Sequence, residues 1–202
     1  MNPQETNPTP WSENVIIVDA DYVDKVAFEL IVNFERMIGR RIPPADMAKW
    51  LVCVALDGGL REGDHQTQVV LIHDRGARRM ENFMPADYET ELNAQAFKDP
   101  KLGEFTISSY PVEDIVSKDD YMADVVQTIA NLKEVKRIMI IPNAEQGSQY
   151  ELIRKALSRI DDEGKRITLL AMQPLTGGNF RQEILGYSLM TALGIKADEI
   201  KP

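Results

Sequence analysis

A single cysteine in 202 residues excludes an internal disulfide, and with it the small stapled folds of secreted proteins. That cysteine, Cys53, lies in the apolar run Trp50-Leu51-Val52-Cys53-Val54-Ala55-Leu56 and reads as a small buried hydrophobe rather than a reactive thiol. Such cysteine usage fits a reducing compartment, and the expected location is cytoplasmic. No stretch approaches the roughly 18 apolar residues that a membrane helix needs. The first twelve residues, Met1 to Ser12, are polar and Pro-rich without an apolar core, so no secretory signal is expected. No G-x-x-x-x-G-K-[ST] occurs and no G-x-G-x-x-G follows the first apolar run, which disfavours a P-loop or a dinucleotide fold. No nucleophile elbow and no Cys-His arrangement is visible. Basic residues are also scarce: 23 Lys and Arg stand against 32 Asp and Glu, a formal net charge of −9. Phosphate affinity depends on Lys and Arg, so the charge counts against a surface dedicated as a whole to nucleic acid and leaves room for a local basic patch.

What is present is globular. Hydrophobic residues make up 44% and charged residues 27%, enough to build a core without metal or disulfide. Residues 1–13 read as a flexible leader and residues 14–202 as one α/β domain.

Five short apolar runs read as buried strands: Asn14–Val18, Gln68–Asp74, Phe105–Tyr110, Arg137–Ile141 and Ile167–Met172. Helical spacing of apolar residues runs between them. Val23, Val26, Ala27, Leu30, Phe34 and Met37 mark a helix from Tyr22 to Gly39. Further helices are expected over Ala45–Leu56, Lys118–Leu132, Ser148–Ile160 and Asn179–Leu193, with a short one from Pro85 through Phe97. Strand-helix alternation with continuous apolar strands predicts a three-layer α/β/α sandwich around a mainly parallel five-stranded sheet. Val15–Val18 and Ile138–Ile141 are expected to be neighbouring parallel strands. A site in such a sheet lies outside the carboxyl ends of its strands, near the reversal of strand order.

Acids collect where that crevice would be. Asp19 and Asp21 follow the first strand, Asp74 the second, and Asp119, Asp120 and Asp124 lie on the first turns of the helix after the third. Asp120 and Asp124 are i,i+4 and share a helix face. Converging carboxylates repel unless a cation lies between them, and hard oxygen ligands suit Mg²⁺ or Mn²⁺. Plainer readings stand beside this one. Asp19 and Asp21 fit helix caps, Asp119 and Asp120 fit first-turn acids, and Asp74 fits an ion pair with the Arg75–Arg79 run. Asp124, among Met122, Val125, Val126 and Ile129, is costly to bury unpaired.

The order of these features resembles the NYN branch of the PIN-like ribonucleases. An apolar strand ends in Asp19, and a Lys-Asp-Asp segment opens a helix carrying a further Asp. An apolar strand with a polar turn follows, then Gly164-Lys165-Arg166-Ile167-Thr168-Leu169-Leu170. The resemblance covers about residues 14–172 and implies a doubly wound fold that cleaves RNA with Mg²⁺ or Mn²⁺. It implies catalytic and metal-ligand positions at Asp19, Asp120 and Asp124, with Asp21 and Asp119 as further metal ligands. The fourth strand departs from the pattern. Where the family has a Ser-Gly-Asp-x-Asp turn, this chain has Pro142-Asn143-Ala144-Glu145-Gln146, leaving Asn143 or Glu145 as substitutes. The expectation ranked first is therefore a degenerate PIN/NYN-like domain acting as a binding or regulatory module. The alternative is a Mg²⁺- or Mn²⁺-dependent ribonuclease acting on single-stranded or structured RNA.

Arg36, Arg40, Arg41, Arg75, Arg78 and Arg79 are the basic residues available to RNA phosphates, or else a solvated face. His73 ends a strand on the same edge as Asp19, as a satisfied histidine or a site residue, and His65 reads as solvated. Gly177-Gly178-Asn179 reads as a plain turn before the last helix. That helix packs on the domain or takes part in a homodimer.

Overall fold

Asn14–Asp19 (β1) is buried along its whole length because it lies at the centre of the sheet. In this computed structural model, which describes residues 10–160 and 163–200, β1 pairs in parallel with His65–His73 (β3) on one side and Arg137–Ile141 (β7) on the other. Val15 lies opposite Ile138 and Val18 opposite Ile141, as the apolar patterning predicts. Outward from β3 come Gly103–Pro111 (β6) and Gln95–Asp99 (β5). Outward from β7 come Arg166–Ala171 (β8) and Arg181–Ile184 (β9). The sheet thus has seven strands in the order β5-β6-β3-β1-β7-β8-β9, and only β5 runs antiparallel. Ala45–Asp46 (β2) and Phe83–Met84 (β4) form a separate short pair.

Alternation along the strands divides the core in two. Ile16, Val18, Val69 and Leu71 face Ala20–Ile38 (α1), Met47–Asp57 (α2) and Leu185–Ala192 (α5). Val15, Ile17, Val70 and Ile72 face Lys118–Ala130 (α3) and Gln149–Leu157 (α4). Helices therefore cover both faces, which a sheet of continuous apolar strands requires. Trp50 on α2 anchors the first layer: its ring meets Phe83 edge-on at 5.4 Å and its indole N–H donates to Ser188 Oγ of α5 at 3.2 Å. The last helix is thereby packed on the domain, with Tyr187 left 71% exposed.

Two stretches depart from the expected pattern, both at sheet edges. In place of a helix from Pro85 through Phe97, Asp87 caps one π-helical turn over Tyr88–Leu92 and β5 follows. Phe97 stacks on Phe105 of β6 at 4.8 Å. The start of the last predicted helix is instead β9, and α5 begins only at Leu185. In both cases an outer strand would leave a row of unpaired backbone groups, and pairing it outweighs weak local helical preference. Most of the predicted leader, residues 1–9, lies outside the described residues. Its end is tied down: Ser12 N–H donates to Gln68 Oε1 at 2.7 Å and the Glu13 carbonyl accepts from Arg137 N–H at 2.9 Å. Among the described residues, no helix is long and apolar enough to cross a membrane.

Candidate functional site

The reversal of strand order on either side of β1 opens a crevice at the carboxyl end of the sheet. Asp19 ends β1 there and is fully buried. Its Oδ1 caps α1 by accepting from Tyr22 N–H at 3.2 Å, and its Oδ2 accepts from the Gln149 amide at 2.9 Å. Gln149, also fully buried, is the first residue of α4, and its Oε1 accepts from Asn143 N–H at 2.7 Å. One amide side chain thus joins the turn after β7 to the carboxylate after β1. Asn143 uses its own Oδ1 to accept from the N–H groups of Glu145 and Gln146, forming the turn that stands where the resemblance expects aspartates.

Asp21, on the first turn of α1, accepts from Asp74 N–H at 2.6 Å and so clasps the end of β3. Asp119 faces the crevice from α3. It accepts from Ser148 N–H at 2.9 Å and from the Gln149 amide at 3.2 Å. Gly147, at φ +72°, makes room for this carboxylate, because a Cβ there would come within 2.7 Å of Asp119 Oδ2.

The centre of the cluster is a lysine. Lys118 Nζ lies 3.3 Å from Asp19 Oδ1, 3.1 Å from Asp21 Oδ2 and 3.4 Å from Asp74 Oδ1. A cation on the first residue of a helix opposes the macrodipole, so this placement needs compensation, which three carboxylates supply. Burial alone would lower the ammonium pKa, but the charges of Asp19, Asp21 and Asp74 outweigh it and push the value up to about 12. For Asp21 burial is the stronger influence and holds its carboxyl above the ordinary value, despite the Asp74 amide and the Lys118 ammonium.

Of the acids singled out in the sequence, the fold brings Asp19, Asp21, Asp74 and Asp119 together. It does not bring Asp120 and Asp124 with them. Asp120 is exposed and accepts from Ser117 Oγ at 2.7 Å within its own helix cap. Asp124 is exposed on the wall of a different groove, an apolar one lined by Trp11, Tyr110 and Tyr121. The reason is helical geometry: Asp120 and Asp124 share a face, but α3 turns its Lys118–Asp119 face to β1. Among the described residues, no three His, Cys, Asp or Glu side chains are placed to hold one metal ion. The donor set does not fit a divalent cation as it stands, because the ammonium already lies where the carboxylate oxygens converge.

The crevice opens into a cavity of about 290 Å³ lined by Asp21, Tyr22, Lys25, Lys118, Asn143 and Glu145. Among the described residues, the Tyr22 hydroxyl is buried with no partner at hydrogen-bonding geometry. Burial first, and then the nearby Glu145 carboxylate, push its ionisation up. His73 is 5% exposed, stacks on Tyr88 with centroids 3.8 Å apart, and has its Nδ1 2.9 Å from the Asp74 carbonyl. His65 is partly buried, its Nε2 lying 2.7 Å from the Arg61 carbonyl. Cys53 is partly buried, and burial raises its thiol pKa.

The six arginines do not form one surface. Arg36, Arg40 and Arg41 lie at or beyond the far end of α1, about 28 Å from Asp19 along a 19-residue helix. Arg40 is held by Glu199 at 2.7 Å and Arg41 lies 3.7 Å from Glu35. Arg75, Arg78 and Arg79 follow β3 near the crevice, where Arg75 pairs with Asp114 at 2.8 Å and Arg79 with Glu81 at 3.5 Å. Lys118 and Gln149 were not singled out in the sequence. The available signal for Lys118 was a cation opening an acid-rich helical turn; Gln149 carried none.

Fold and site together define a doubly wound α/β domain whose acidic crevice has a lysine at its centre. The chain belongs to a family described as a family of unknown function, DUF6621, whose model matches residues 8–200. No curated protein and no solved structure matches it.

Proposed function

We propose that this chain is a PIN/NYN-like domain whose acidic crevice is closed to metal-dependent cleavage, and that it works as a binding or regulatory module. The observation that carries the reading is the Lys118 ammonium, 3.1 to 3.4 Å from carboxylates of Asp19, Asp21 and Asp74. Magnesium takes oxygen ligands at about 2.0–2.1 Å in near-octahedral geometry, and an ammonium at the point of convergence repels it. Asp120 and Asp124, the other acids the resemblance implies, are engaged elsewhere or face another groove. The turn after β7 supplies the Asn143 amide, and the start of α4 the Gln149 amide, in place of carboxylates. The amide link between Asp19 and the Asn143 turn supports a rigid crevice, suited to present a surface rather than to bind and release an ion.

The test is Mn²⁺ calorimetry paired with cleavage of single-stranded RNA by wild type, Lys118→Met and Asp19→Asn. Wild type is expected to bind no Mn²⁺ at millimolar concentration and to leave RNA intact. Lys118→Met is expected to gain measurable Mn²⁺ affinity. Metal-dependent cleavage by wild type that Asp19→Asn abolishes would overturn the reading in favour of a working ribonuclease.

A further inference from the structure

At the opposite, amino-terminal edge of the sheet lies a second charged cluster, of the other sign. Arg137 begins β7 and Arg166 begins β8, and parallel pairing sets them directly opposite each other. Arg181 begins β9 opposite Thr168, two residues on from Arg166. Arg61 comes from the loop after α2. None of the four makes an ion pair among the described residues. Four unpaired guanidinium groups near one another are unexpected in a chain of net charge −9.

Arg137 and Arg166 are partly buried, and among the described residues the Nε–H of each is buried with no hydrogen-bond partner. Arg137 is positioned by donating from Nη1 to the Gly58 carbonyl at 2.7 Å. Arg166 packs flat against Gly59, at φ +85°, where any Cβ would collide with the guanidinium. The turn at Gly58-Gly59 thus builds a seat for both groups without neutralising either. Burial, and then the charges of Arg166, Arg61 and Arg181, depress the Arg137 pKa. Such an arrangement costs stability unless something outside the chain compensates it. A surface cavity of about 570 Å³ lies at the same end of the sheet, lined by Ile160, Ile167 and Phe180 as well as by Arg166 and Arg181. On its rim stand Glu163 and Lys165, the latter donating to the Ala130 and Leu132 carbonyls.

We infer that the Arg61, Arg137, Arg166 and Arg181 cluster is a binding site for a compact phosphate-bearing anion. A guanidinium presents paired N–H donors to two oxygens of one phosphate, and none of these four has a carboxylate partner among the described residues. A compact anion fits better than a nucleic-acid strand, because two of the four groups are recessed between turns and the net charge of −9 repels a long polyanion. The site is independent of the acidic crevice and of the function proposed for it.

The test uses the full chain, thermal melts and calorimetry, with sodium tripolyphosphate and, separately, metal-free ATP, against NaCl at matched ionic strength. Tripolyphosphate is expected to raise the melting temperature of wild type and of the surface control Arg36→Gln, more at higher concentration. Arg166→Met is expected to lose at least tenfold in affinity. Its melting temperature without anion should be no lower than wild type's, since its guanidinium has no partner to lose. Arg166→Lys, which keeps the charge and removes the fork, should bind at an intermediate level. Equal effects of tripolyphosphate and ATP assign recognition to the phosphate chain, and an effect of ATP alone assigns it to a nucleotide. No shift with either compound, or a shift that Arg166→Met and Arg137→Gln leave intact, overturns the site.

Discussion

Replacing Lys118 by Met retains the length and apolar stem of the side chain and removes its charge, leaving three carboxylates facing one another. Deleting one partner of a buried ion pair costs about 3–5 kcal/mol, because the remaining charge is stranded. Asp19 is 0% and Asp21 23% exposed, but Asp74 is 62% exposed and rehydrates easily. A cost near the lower end, about 3 kcal/mol at pH 7, is expected. For a domain of this size that lowers the melting temperature by about 6–12 °C. The deficit depends on pH with a definite sign. Asp21 already has a folded pKa above its ordinary 3.8, so its burial opposes folding once it ionises. Without Lys118 that penalty grows, so the deficit is greatest at neutral pH and shrinks as pH falls into the range just above 3.8. In wild type the lysine contributes the opposite dependence. Its folded value, about 12, exceeds the ordinary value of 10.5, so its stabilisation is complete below 10.5 and is lost as pH rises through about 12. Urea titrations of both proteins from pH 4 to pH 8, with wild type continued into the alkaline range, read all of this. A difference below about 1 kcal/mol at pH 7 that does not vary with pH would refute the reasoning, since it would make Lys118 an ordinary surface ion pair.

Gln149→Leu should destabilise by about 2 kcal/mol in denaturant unfolding, because it leaves the buried Asp19 Oδ2 and the part-buried Asn143 N–H without that amide. Asp57 has a carboxyl pKa raised to about 6 by burial and then by Glu183, so its ionisation opposes folding as pH rises through that value. Asp57→Asn should therefore melt higher than wild type at pH 8 and not at pH 4, and identical gains at both would count against the assignment. On α3, Asp119→Ala should cost more than Asp124→Ala, about 1–2 kcal/mol against less than about 0.5, since only Asp119 accepts hydrogen bonds from Ser148 and Gln149. Equal effects in a denaturant series would place both on an indifferent surface.

The five apolar runs were legible because buried parallel strands leave little choice of residue. Val15–Val18 beside Ile138–Ile141 followed from that pattern and from the handedness of crossovers. Asp19 was legible as well, because an aspartate ending a buried strand and opening a helix is a cap by local rules alone. The edge strands β5 and β9 were not, because a neighbour's unpaired backbone decides them rather than their own residues.

The sequence by itself determined the class of fold, the end of the sheet where acids gather and the sign of the net charge, since each depends on local pattern or plain composition. Only the tertiary structure decided which acids meet and which cation they meet around. Lys118 reaches Asp21 across 97 positions of chain and Gln149 reaches Asp19 across 130. It also placed Arg137 opposite Arg166 through strand register, which no spacing in the chain encodes. An electrostatic site is a property of distances of a few ångströms, and those distances are set by packing between elements far apart in sequence.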